Sequence, residues 1–182
     1  LSISDRELLK NYFSINALTI HKSEKSSDGT IKYSLKLFDN KLVEGVLIPS
    51  RKRLTACVSS QAGCSLSCTF CATGTLKLER NLDFSEIYDQ VFILNEEAKQ
   101  NFGRPLSNIV YMGMGEPLLN YDNLIKSINL ISSKDGLSMS PKRITVSTAG
   151  IAKMSDVPKL TKPFCKFLMA PNIEDIPTTN KE

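Results

Sequence analysis

The sequence predicts an α/β fold: a parallel sheet with its helices, preceded by a small antiparallel β element and a helix. Two observations carry this. From about residue 50 onward, apolar stretches of strand length alternate with segments of helical periodicity, the pattern of a parallel sheet. Before it, three β-rich stretches are separated only by short turn sequences, which suits hairpins. With 182 residues and 41% hydrophobic content, the chain can bury one substantial core.

The elements follow in order. Ser4-Asp5-Arg6-Glu7 reads as a capping box that opens a helix through Phe13. Strands are expected near 17–23, 30–38 and 42–48, joined by Ser27-Asp28-Gly29 and Asp39-Asn40. Leu54 to Ser59 is the first strand of the alternating part, and a loop rich in Cys and Gly follows it. Asp83 to Glu86 forms a second capping box, for a helix to about Gln100 with Ile87, Val91, Leu94 and Ala98 on its core stripe. Ser107 to Met112 is a continuous apolar strand, then a helix near 121–132 turns Leu124, Ile128 and Ile131 inward, and Arg143 to Ser147 is the next strand. Ligands of such sheets sit at the carboxyl ends of the strands. The loops at Cys64, Gly113 and Thr148 all follow such ends.

Charge and cysteine usage narrow the class. A net charge of +4 permits a nucleic-acid partner without requiring one. The basic runs Arg51-Lys52-Arg53 and Lys77 with Arg80 are candidates for phosphate contact near the cysteine loop, although short runs of this kind are more often solvated surface than nucleic-acid sites. No apolar run approaches the roughly 20 residues that cross a bilayer, and the N-terminus has no basic-then-apolar leader, so the expected location is the cytoplasm, away from membranes. Five cysteines, three of them within eight residues, fit a reducing compartment better than a disulfide scaffold, and a single His leaves little for a His-based zinc site.

Cys64, Cys68 and Cys71 have the spacing Cys-x3-Cys-x2-Cys, and a seven-residue reach of at most about 25 Å lets three thiolates converge. In an Fe-S cubane three cysteines satisfy three irons and leave the fourth open to a small ligand. The same spacing also suits a zinc knuckle with Cys57 as fourth ligand. The position after the first strand of a βα series, with Gly-Glu-Pro at the next strand end, favours the cluster.

Together with Cys57-Val-Ser-Ser-Gln-Ala-Gly-Cys64, Gly74, Arg80-Asn81-Leu82, Gly113-Met-Gly-Glu-Pro-Leu-Leu-Asn120 and Ile144-Thr-Val-Ser-Thr-Ala-Gly150, this trio resembles the radical S-adenosylmethionine RNA adenine-C2 methyltransferases of the RlmN and Cfr type, over about 40–154. The resemblance implies a six-unit partial (βα) barrel of the radical SAM type. Residues 1–50 would be the end of an accessory region, and 51–182 the N-terminal part of the barrel. It implies a 4Fe-4S cluster on Cys64, Cys68 and Cys71, and S-adenosylmethionine held by Gly115, Glu116 and Ser147. Cys57 would be the thiol that resolves a protein–RNA adduct through a disulfide, and Glu44 the carboxylate that takes the C2 proton. One cosubstrate would methylate a cysteine, and a second would be cleaved to the radical that activates the methyl group. Ribosomal RNA and/or transfer RNA would be the partner, a donor such as flavodoxin the electron source, and the protein a monomer.

Past Met154 the pattern departs: Phe167-Leu-Met-Ala-Pro-Asn172 stands where the family has a Ser-Leu-His strand. Cys165 matches no methyl-carrying cysteine and reads as a packing residue. The resemblance thus expects the methyl-carrying cysteine beyond Glu182. The alternative is a catalytically silent cluster protein or a zinc-knuckle RNA-binding protein.

Overall fold

The computed structural model describes residues 2–10, 18–66, 68, 71–150 and the backbone of 166–169. Helix α1 covers Ile3–Lys10. Its cap is Ser2 rather than Ser4: Asp5 N donates to Ser2 Oγ, and Ser2 N to Asp5 Oδ2, both at 3.1 Å. An Asp three residues after the serine closes the box that Glu7 was expected to close, because its shorter carboxylate still reaches the cap nitrogen. The expected extension to Phe13 lies outside the described residues.

Strands β1 (Thr19–Lys25), β2 (Ile31–Lys36) and β3 (Leu42–Pro49) form an antiparallel meander. Asp28 and Asp39 accept from backbone amides two residues on, at 2.9 and 3.3 Å, and Gly29 and Asn40 supply the positive φ these turns need. β1 begins two residues later than expected, since the turn at 27–29 sets Lys25 opposite Ile31 and a bulge between Ile20 and Lys22 shifts the rest. β3 then pairs antiparallel with β4 (Leu54–Val58).

From β4 the sheet turns parallel. It passes through β7 (Asn108–Tyr111) and β8 (Ile144–Thr148) to β9 (Lys166–Met169). The described sheet has seven strands in the order β1-β2-β3-β4-β7-β8-β9, so the hairpins and the parallel strands share one surface. A two-stranded ribbon, β5 (Gln61–Ala62) with β6 (Arg80–Asn81), frames the cysteine loop.

Helix α2 (Phe84–Phe102) starts in the expected box, where Asp83 caps and the Glu86 side chain reaches back to the Asp83 amide at 2.9 Å, and it ends at Gly103 with φ +66. Helix α3 (Tyr121–Ser132) buries Leu124, Ile128 and Ile131 as expected.

The period of two along each strand sorts side chains onto two faces. Tyr33 and Leu35, Val43 and Leu47, Ala56 and Val58, Ile109 and Tyr111, Ile144 and Val146 face the helices and are buried. Leu94 of α2 comes so near β3 that a Cβ on Gly45 would stand 3.1 Å from its Cδ1. The opposite face carries Lys32, Ser34, Glu44, Val46, Cys57, Val110, Thr145 and Ser147, and is largely half-open. The α/β expectation holds. Among the described residues, no helix is long and apolar enough to cross a membrane.

Candidate functional site

The loop that leaves β4 is fastened on every side. Ser59 N donates to Gln90 Oε1 and Gln90 Nε2 donates back to Ser59 O, both at 3.0 Å. The Ser59 hydroxyl donates to Glu44 O at 2.7 Å and accepts from Met114 N at 2.9 Å. Ser60 O and Leu82 O both accept from Asn120 Nδ2, at 2.8 and 2.7 Å. Gly113 passes so close that a Cβ there would lie 2.7 Å from Val58 O and 2.6 Å from Ser59 Oγ.

Gln61 joins the next strand end to this frame. Its amide donates to Asn81 Oδ1 at 2.7 Å and accepts from Glu116 N at 2.9 Å. Gly115, at φ +96, packs on it so tightly that a Cβ would fall 2.5 Å from Gln61 Cβ. Glu116 is 4% exposed, and its carboxylate spans two strand ends. Thr148 Oγ1 donates to Oε1 at 2.5 Å, Leu118 N to Oε1 at 3.2 Å, and Ala149 N to Oε2 at 2.8 Å. Three of its roughly four lone-pair sites are thereby filled, leaving one on Oε2.

These residues enclose a cavity of about 180 Å³ at the carboxyl ends of the parallel strands. Cys64, Cys68 and Cys71 line it together with Gly115, Glu116 and Ser147, and all three thiols are free and half-buried. Burial pushes the Cys64 thiol up, and the charges of Cys68, Cys71 and Glu116 add to that. Burial likewise raises Cys68, with Cys71 next. Among the described residues no Lys or Arg lines the cavity. The cavity thus gathers three thiols and one carboxylate, with no lining cation among the described residues to balance them. Three converging sulfur donors beside a carboxylate fit an iron–sulfur cluster, which binds them as thiolates, and a cationic cosubstrate.

Cys57 and Glu44 stand apart from this cavity, together on the open face of the sheet. Burial pushes the Cys57 thiol up to about 11, against a hydrogen bond from the Met112 backbone, and the nearby Glu44 charge adds to the rise. Glu44 is ion-paired to Lys32 Nζ at 2.5 Å, in a second, polar cavity with Lys22 and Glu24. Because Cys57 is not a wall of the cysteine cavity, the zinc knuckle with Cys57 as fourth ligand finds no support in the geometry. Among the described residues, no three His, Cys, Asp or Glu side chains close up as the ligands of a single metal ion do.

Two expectations about basic residues are corrected. Arg80 is not available to phosphates: Glu86 grips it at 2.7 and 2.8 Å, Asp39 binds its Nε at 2.7 Å, and it lies over the Phe38 ring. Arg51-Lys52-Arg53 sits before β4, at the other end of the strand from the cysteine loop. Cys165 lies outside the described residues. Sequence reasoning missed Ser59, Gln61, Gln90, Asn120 and Thr148. Gln90 left a trace, a polar residue on the stripe shared by Ile87, Val91 and Leu94.

A trio of cysteines closing the first βα loop, with Gly-Glu-Pro ending the next parallel strand, defines a radical SAM protein, and the chain belongs to the radical SAM superfamily, whose model matches residues 58–167. Membership implies an iron–sulfur cluster and S-adenosylmethionine. Within that class the chain is similar to the probable dual-specificity RNA methyltransferase RlmN of Cytophaga hutchinsonii, at 56% identity over 170 residues, covering 93% of this chain and 46% of the relative. It is 54% identical to the probable dual-specificity RNA methyltransferase RlmN of Flavobacterium psychrophilum, covering 93% and 48%. Among solved structures it is similar to a radical SAM methyltransferase from Sphaerobacter thermophilus, with a TM-score of 0.84 and 36% identity, over 92% of this chain and 49% of that one. The chain spans about half the length of the curated relatives it matches.

Proposed function

We propose that the chain is the cluster-bearing part of an RNA methyltransferase that methylates C2 of adenine in ribosomal RNA and/or transfer RNA. The observation that carries this is the cavity at the strand ends, with three thiols, Glu116 and no lining cation among the described residues. Cys64, Cys68 and Cys71 would hold the 4Fe-4S cluster, which when bound supplies the electron for reductive cleavage of S-adenosylmethionine. The free lone pair on Glu116 Oε2 suits the methionine ammonium of that cosubstrate, and Gly115 lets the backbone approach it. Ser147, half-buried on the cavity wall, offers a hydroxyl.

Cys57 and Glu44 would serve the RNA. The Cys57 thiol, kept protonated by burial, is a resolving thiol that stays unreactive until a substrate approaches. Glu44 is the nearby carboxylate able to take a proton once Lys32 releases it. Residues 1–50 and 51–182 are the accessory and barrel parts in this reading, with an electron donor such as flavodoxin, a monomeric state and a cytoplasmic location. The similarity to relatives with RNA methyltransferase names supports the substrate class.

Anaerobic reconstitution with iron and sulfide tests the cofactor. The expected product is brown with about four iron per chain, and replacing Cys64, Cys68 and Cys71 by alanine abolishes it. A colourless protein that takes up zinc instead would overturn the assignment.

A further inference from the structure

The parallel strands have a second end. There, around the amino ends of β4, β7 and β8, lies a cavity of about 410 Å³ lined by Lys52, Arg53, Lys142 and Arg143, with Asn108 and Thr145 between them. Among the described residues no carboxylate lines it. The whole chain has a formal excess of only +4, so these four cations alone equal it. Lys22, Lys32, Lys41, Arg80 and Lys99 each have a carboxylate partner, whereas none of these four does among the described residues.

The cations also stand on a braced frame. Ser50 N donates to Arg53 O at 2.8 Å, and Arg53 N to Ser50 Oγ at 3.1 Å, closing the turn that carries Lys52. Arg104 Nη2 clamps that turn from outside, donating to Ser50 O at 2.9 Å and Arg53 O at 3.2 Å, which brings a fifth positive charge close by. Pro141 opens the short 3-10 turn that presents Lys142 and Arg143, and Ser107, next to Asn108, anchors the start of β4 through Leu54 N at 2.9 Å. Like charges held together on fixed backbone repel one another, and an arriving polyanion removes that cost.

We propose that this cavity docks the phosphate backbone of folded RNA, at a place separate from the base delivered to the open face of the sheet. The four cations are exposed and spread over two tips, so they match successive backbone phosphates better than one enclosed phosphate group. The strands between the two ends are four to five residues long, which separates this surface from the cysteine cavity by roughly 15 Å. The RNA must therefore be a folded one that offers a second backbone segment. This inference rests on the RNA reading above.

The test is affinity of the 182-residue chain for a transfer-RNA-sized transcript across a salt series, comparing the unaltered chain with Lys142→Glu/Arg143→Glu and with Lys142→Gln/Arg143→Gln. A control, Lys126→Glu/Lys134→Glu, makes the same charge change at α3 and just beyond it. The expected result is about a tenfold loss for the reversal pair, and a salt slope smaller by about 2 for both site pairs, with the control unmoved. Circular dichroism confirms that all variants fold. Equal effects from site and control variants, or an unchanged slope, overturn this surface while leaving the RNA reading standing. Failure of the unaltered chain to bind RNA overturns both.

Discussion

Gly115 and Cys57 show how single residues set the site. At Gly115 a side chain meets two obstacles, a φ of +96 and Gln61 Cβ at 2.5 Å. The backbone term alone costs roughly 1–2 kcal/mol, and the clash pushes Glu116 off its donors. Gly115→Ala is expected to retain iron after reconstitution yet lose most S-adenosylmethionine binding in equilibrium dialysis; unaltered binding would show that the close approach is dispensable. At Cys57 the folded chain holds the thiol proton up to about 11, above its ordinary value of 9. The contribution to stability is full below the ordinary value and is lost as pH rises through about 11. Alkylation of Cys57 by iodoacetamide, followed by mass spectrometry, is expected to stay slow at pH 8 and to climb only toward pH 11. A midpoint near the ordinary value would mean the strand exposes it.

At the scale of elements, Gln90 is the tie between α2 and the loop after β4. Removing its amide leaves the Ser59 N–H and C=O buried without partners, at about 1–3 kcal/mol each. Gln90→Ala is expected to lower stability in urea unfolding by about 2–4 kcal/mol and to loosen the cysteine loop, seen as lower iron retention. What the sequence made legible at this scale follows from periodicity and capping. The stripe Ile87, Val91, Leu94 and Ala98, and the box at Asp83 and Glu86, are local signals, and local signals survive folding. The start of β1 and the cap of α1 were misplaced, because register and cap geometry depend on partners that spacing does not name. The site divides the same way. Cys64, Cys68, Cys71, Gly115 and Glu116 announce themselves by motif, whereas Ser59, Gln61, Asn120 and Thr148 matter only through bonds to residues 30 to 60 positions away.

Across the whole molecule, the antiparallel and parallel halves are joined by the β3–β4 ladder, which runs from Val46↔Cys57 to Pro49↔Leu54. Tyr33, Leu35, Val43 and Leu47 belong to the same core as Val91 and Leu94. The accessory and barrel parts proposed for 1–50 and 51–182 are thus expected to fold as one unit. Residues 51–182 made alone would expose β4 as a bare edge and lose that apolar cover. Thermal scans followed by circular dichroism should show no cooperative transition for the shorter chain; a sharp one would establish an independent barrel part.

Ala149 N, resting on Glu116 Oε2, also provides a reporter. Its proton is shielded from solvent only while the carboxylate stays in place, so the exchange rate of that one amide reads out whether the ends of two neighbouring strands are latched. A cosubstrate that draws on the same oxygen would change that rate with no dye or label attached.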